Sequence, residues 1–230
     1  MYESVRAAFR GFNEPFEGVV FWMYLDVRGL VTIGVGNLID PVEVALALPF
    51  HSLTTPATMA TTAQISEEWH RIKGDPTLAA KGYKACASLT HLRLDETAVD
   101  TLVAKHLVEN EARLKKNSAF GQFDAWPADA QLGLLSMAWA LGSGGPSAFP
   151  RFSAACRKQD FATAAQECTM SEQGNAGVAP RNRANRVLFR NAAIVKAGGG
   201  YDPARLYYPS SLGPATGRDN TRLLKEAATD

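Results

Sequence analysis

Several classes of protein are excluded by what this sequence holds little of. Cysteine is scarce: Cys86, Cys156 and Cys168 are the three in 230 residues. An odd number without zinc-type spacing argues against a disulfide framework, and the three read as reduced thiols of a chain made in the cytoplasm. The four histidines, His51, His70, His91 and His106, have no metal-ligand spacing either, so no metal is expected. Excess charge of one sign is missing. Lys and Arg number 24 against 23 Asp and Glu, a formal net charge of +1. No overall field draws the chain to nucleic acid or an anionic membrane. No apolar run reaches the roughly 18 residues that suggest a membrane span. The opening MYESVRAAFRGF mixes acid, base and aromatic residues, with no apolar stretch and small-residue cleavage site, so no signal peptide is expected. Gly34-Val35-Gly36 lacks the third glycine of a dinucleotide fingerprint, so it reads as part of the hairpin and not as a site for that cofactor. Gly142-Ser143-Gly144-Gly145 reads as a helix stop rather than a phosphate loop. Internal repeats are absent.

What is there is an ordinary globular composition, with 46% hydrophobic and 20% charged residues. Residues 2–12 put Tyr2, Val5, Ala8, Phe9 and Phe12 on one helical face, and Asn13-Glu14-Pro15 is expected to break that helix. Residues 17–39 carry two β-prone runs around Asp26-Val27-Arg28-Gly29, a hairpin pattern. From about 40 to 62, Pro41, Pro49 and Pro56 suggest irregular chain or short helices. Helices are expected over 64–73 and 76–88. The segment from Asp95 to Lys116 is the clearest helix, with Val99, Leu102, Val103, His106, Leu107 and Leu114 in one stripe. Pro127 then opens a helix over 127–141 that is apolar nearly all round, the pattern of a buried centre. Shorter helices are expected near 148–158, 160–170 (capped by Asp160) and 182–197, the last stopped by Gly198-Gly199-Gly200. The tail from Tyr201, with Pro203, Pro209 and Pro214, is expected to wrap the surface. The fold class is α+β.

The stretch EGVVFWMYLDVRGLVTIGVGN, Glu17 to Asn37, carries the chemistry. Two carboxylates bracket a hairpin, and a hydroxyl follows on the return strand. Glu17 lies among Phe16, Val19 and Val20, where apolar surroundings favour the protonated acid. Asp26 lies at a polar turn, where it stays ionised. Carboxyls in such contrasting environments suit acid/base hydrolysis, glycoside cleavage above all, with Thr32 able to hold a water against Asp26. Taken alone, paired acids near a turn are more often solvent-facing than catalytic, so both readings stand.

The spacing itself is specific. Glu17, eight residues, Asp26, five residues, Thr32 resembles the Glu-Asp-Thr pattern of the T-even-type phage lysozymes, glycoside hydrolase family 24. Tyr24, Gly29 and the run Thr32-Ile33-Gly34-Val35-Gly36 match around it. Leu94-Asp95-Glu96 is similar to the entry of that family's long inter-lobe helix, and Leu134-Leu135-Ser136-Met137-Ala138-Trp139 to its buried central helix. The turn from Gly142 to Phe149, Asp160-Phe161 with Ala164-Ala165, and Asn182-Arg183-Ala184-Asn185-Arg186 follow in the family's order.

The resemblance implies one lysozyme-like domain over 1–230: a hairpin-bearing lobe with an extended segment over 13–93, a long helix and helical lobe over 94–197, and a tail over 198–230. It implies a muramidase that cuts the β-1,4 bond between N-acetylmuramic acid and N-acetylglucosamine in peptidoglycan and needs no cofactor. Glu17 is then the general acid, Asp26 stabilises charge or activates water, and Thr32 positions that water. Tyr24 and Gly36 line the cleft, and Arg183 pairs with the acid across the lobes. Arg181, Arg183, Arg186 and Arg190 also recur along one helix as an ordinary solvated face would. Three departures stand out. Asn37 replaces a common His, Ala140 replaces a substrate-contacting Gln, and residues 38–93 run long. Trp22 and Trp126 are the tryptophans to examine as sugar platforms.

Other readings are a lytic transglycosylase, a binding-only cell-wall module, and a nucleic-acid module built on the arginine-rich helix. Asp26 and Thr32 argue against the first, the intact trio against the second and the neutral charge against the third. The partner implied is the glycan strand, met by a monomer in the periplasm or cell wall. The setting implied is a phage endolysin with a holin, or a secreted effector, type VI among others, with an immunity protein.

Overall fold

A computed structural model describes residues 1–53, 58–142, 144–173 and 177–213. The protein is α+β, dominated by helix with small antiparallel sheets. It divides into two compact units, Arg10–His106 and residues 1–9 together with those from Leu107 onward. Among the described residues no helix is long and apolar enough to cross a membrane. No group of three or more His, Cys, Asp or Glu among them is gathered for a metal ion.

The first unit begins within helix α1, Glu3–Glu17. The expected break at Pro15 does not occur. A proline there removes one N–H in the final turn, and the Gly18 N–H donates to the Glu14 carbonyl at 2.8 Å to close the end. Arg10 on α1 pairs with Glu96 and Asp100. The hairpin forms where the residues predict it. Strands β1, Val20–Leu25, β2, Val31–Gly34, and β3, Asn37–Leu38, make an antiparallel sheet in that order. Met23, Leu25, Val31 and Ile33 supply its buried side.

Beyond the hairpin, helix α2, Val42–Leu46, precedes strand β4, His51–Ser52. Helix α3, Thr62–Lys73, opens with a capping box between Thr61 and Gln64. The single helix expected over 76–88 is two, α4, Leu78–Lys81, and α5, Tyr83–Cys86. Gly82 parts them at φ 76 and ψ 171, outside any helical geometry. Strand β5, Leu92–Arg93, pairs with β4. These two-residue strands carry no readable alternation in sequence. Glu68 on α3, 2% exposed, holds β5 by accepting from the His91 N–H at 2.6 Å and the Leu92 N–H at 3.1 Å, with Arg71 at 3.0 Å. Lys73 donates to the Gly29 carbonyl at 2.9 Å and to Asp40 at 2.5 Å, bracing the hairpin turn.

Helix α6, Glu96–Lys115, is capped by Asp95, whose carboxylate accepts from the Ala98 N–H at 2.7 Å. Its residues up to His106 belong to the first unit. The second unit is built on helix α7, Ala128–Leu141, where Leu132, Leu134, Leu135 and Met137 are fully buried. Around it lie α8, Pro150–Arg157, α9, Phe161–Glu167, capped by Asp160 as expected, and α10, Val178–Lys196. Gly133 lets α10 approach: a Cβ there would meet the Phe189 ring at 2.9 Å. Helix α10 starts earlier than expected because Pro180 falls in its first turn, where its missing N–H costs nothing. The chain beyond Gly200 runs back to the start of α7. Pro203 accepts from the Ala128 N–H, and Asp129 accepts from the Tyr207 N–H at 2.9 Å, the Tyr208 N–H at 3.0 Å and Asn191 at 2.9 Å. Ser143, Pro56 and the tail from Pro214 lie outside the described residues. The three cysteines are free and buried.

Candidate active site

Glu17 is the last residue of α1 and half-buried. A carboxylate there meets the negative end of the helix dipole. Gly18, at φ 71, turns the chain directly into β1. The pairing of β1 with β2 is irregular between Val20 and Tyr24, and this bulge sets how the side chains of that segment are aimed. After it the ladder is regular: Tyr24 stands opposite Thr32, and Leu25 opposite Val31. Directly opposed residues in an antiparallel pair share a face, so Tyr24 and Thr32 project together.

Asp26 opens the turn, and Gly29 at φ 74 supplies the left-handed conformation the turn requires. The Asp26 N–H donates to the Leu30 carbonyl at 2.9 Å. One carboxylate oxygen, Oδ1, accepts from the Arg28 N–H at 2.8 Å and the Leu30 N–H at 2.9 Å. The other, Oδ2, has Arg28 Nε at 3.4 Å. The carboxylate is thus oriented by the backbone, and Oδ2 is the oxygen with room to receive a proton. The Thr32 hydroxyl donates to the same Leu30 carbonyl at 3.2 Å. With its proton used there, Oγ1 presents lone pairs that can accept from a water. Thr32 is 4% exposed.

Tyr24 is half-buried. Its hydroxyl is pushed well above the usual phenol range, first by burial and then by the negative charges of Glu17 and Asp26, with Tyr83 adding to them. Tyr24, Asp26 and Thr32 lie on the hairpin, and Glu17 ends the helix that leads into it. Gly36, at φ 76 and exposed, makes the tight link from β2 to β3. Asn37 braces that link, its Oδ1 accepting from the Val35 N–H at 3.1 Å. Arg183 belongs to the other unit, exposed on α10. The buried arginine of the same helix is Arg181, just before that motif, 2% exposed and donating to the Ser136 carbonyl at 3.1 Å.

Of the two tryptophans singled out, Trp126 is fully buried in an aromatic cluster with Phe120, Phe123 and Phe161. Trp22 is half-buried beside the site, and next to it stands Tyr83, which sequence reasoning missed. The signal available was an aromatic directly after Gly82, a helix breaker.

No protein-family model matches the sequence, and no curated protein matches it either.

Proposed function

We propose that this protein is a lysozyme-like muramidase that hydrolyses the β-1,4 bond between N-acetylmuramic acid and N-acetylglucosamine. The observation that supports the reading is one hairpin on which Leu30 orients both the Asp26 carboxylate and the Thr32 hydroxyl, with Glu17 at the end of the helix that leads into it. Glu17, protonated, donates its proton to the glycosidic oxygen as the bond to the anomeric carbon breaks. A water accepted by Thr32 attacks the opposite face of that carbon, and Asp26 Oδ2 takes its proton. One bond breaks, one forms, and the configuration inverts. The spacing of Glu17, Asp26 and Thr32 in the sequence supports the same roles independently of the geometry.

The glycan strand is then the partner and the cell wall the place of action. A neighbouring holin gene would mark an endolysin, an immunity gene a delivered toxin.

The test is turbidity loss on purified peptidoglycan with mass spectrometry of the products. A reducing-end muramic acid is expected. A 1,6-anhydro end would instead identify a transglycosylase. Asp26→Asn is expected to lose most activity and Thr32→Ala less, since the second leaves the base in place. Full activity in Asp26→Asn would sink the assignment.

A further inference from the structure

We propose that Tyr83, backed by Trp22 and Tyr24, is a stacking platform for one pyranose ring of the glycan, in a subsite contributed by helix α5. The chemical identity of the ligand rests on the muramidase reading; the platform rests on geometry.

Tyr83 is 41% exposed, with the Lys84 ammonium 6.0 Å from its ring centroid. Its ring centroid lies 6.1 Å from that of Tyr24 and 6.3 Å from that of Trp22. Tyr24 stands opposite Thr32 on the ladder and two residues before Asp26, so the cluster adjoins those groups. It is also rigid. The Trp22 Nε1–H donates to the Tyr83 carbonyl at 2.9 Å. The Arg93 guanidinium lies 5.1 Å from the Trp22 ring centroid. That guanidinium is itself fixed by donation to the carbonyls of Thr90, Leu92 and Ala87 at 3.2, 2.8 and 2.9 Å. Cys86, fully buried, anchors the far end of α5.

A core role does not explain this arrangement. Burial would cover Tyr83, and an indole held by a cation and a carbonyl needs no exposed ring beside it. Pyranose rings present one face of C–H groups that packs on an aromatic plane, while their hydroxyls need nearby donors and acceptors. An exposed ring beside an amphipathic phenol and the Lys84 ammonium offers both. Rings preorganised before binding lose little entropy when a sugar docks.

The experiment uses the full chain carrying Glu17→Gln, which holds glycan without cleaving it, and titrates it with the peptidoglycan tetrasaccharide free of peptide. Tyr83→Ala in that background is expected to weaken binding about tenfold, the scale of one aromatic contact. Tyr83→Trp is expected to restore it, which a merely structural role of the phenol would not allow. In the otherwise wild-type chain Tyr83→Ala is expected to raise KM with kcat little changed. Equal affinity of Tyr83→Ala and its parent, with circular dichroism unchanged, overturns the platform. So does failure of the parent to bind the tetrasaccharide. Binding that depends on Tyr83 in a chain that hydrolyses nothing would keep the platform and discard the muramidase.

Discussion

Glu68 in the sheet-bearing unit and Asp129 in the helical unit are both carboxylates almost wholly removed from water, and both accept from two backbone N–H groups. Glu68 also has Arg71 and Arg93 acting on it, whereas Asp129 is served by the amide of Asn191. The difference runs through the two units. In the sheet-bearing unit the strands are short, and polar clamps such as Glu68, Lys73 and the Asp26 turn hold the backbone around half-exposed side chains. In the helical unit an apolar helix, α7, does the holding, and its polar groups fasten incoming chain: Gln131 accepts from the Tyr2 N–H at 2.8 Å, and Asp129 ties the segment after Gly200. A lean core with polar fasteners can present acids and hydroxyls to a ligand. A dense one is suited to stability.

The sharpest test of this contrast is Glu17→Gln. Activity is expected to fall by about 10²–10⁴-fold, because an amide cannot supply the proton, while the melting temperature stays near wild type. A large drop in melting temperature would break the division of labour. The counterpart in the helical unit is Leu135→Ala, expected to cost about 2–5 kcal/mol in chemical denaturation through the cavity it leaves, with kcat of the remaining folded protein preserved. Asp129→Asn comes next, at about 1–3 kcal/mol. An amide replaces one acceptor with a donor that faces a backbone N–H. Limited proteolysis between Gly200 and Gly213 should then accelerate ahead of any cut in α7.

The smallest effect is on pH. Burial is the leading cause that raises the pKa of both Glu68 and Asp129 above the ordinary carboxylate range, with the hydrogen bonds opposing it. The folded state therefore holds these protons more tightly than the unfolded chain. The stabilisation this gives is fully present below the unfolded pKa and is lost as pH rises through the raised values. Glu68→Gln should flatten that decline when unfolding free energy is followed from pH 4 to about 8. An unchanged slope would show that the clamp is not the titrating group.

Much of the helix content was legible because its signals are local. The all-apolar run of α7, Asp160 before α9 and Asp95 before α6 each state a helix within a few residues of sequence. The hairpin was legible from β-prone runs around Asp26 and Gly29. Elements settled by distant partners were not. Strands β4 and β5 are two residues each and exist because Glu68 draws β5 in. Helix α1 runs through Pro15 to Glu17, which no local signal announces, since proline there removes a donor to the Gly11 carbonyl. Tyr83 faces Tyr24 only because Gly82 turns the chain there.

The sequence alone determined which side chains are available for chemistry: two carboxylates and a hydroxyl at fixed spacing, and an apolar helix to build on. Residue type and period are local properties, so one strand of text carries them. Only the tertiary structure decided that Tyr24 stands opposite Thr32, that Leu30 serves Asp26 and Thr32 together, and that an exposed ring stands beside Tyr24. Those facts depend on ladder register, a bulge and a positive-φ glycine, each fixed by contacts between residues far apart in the chain.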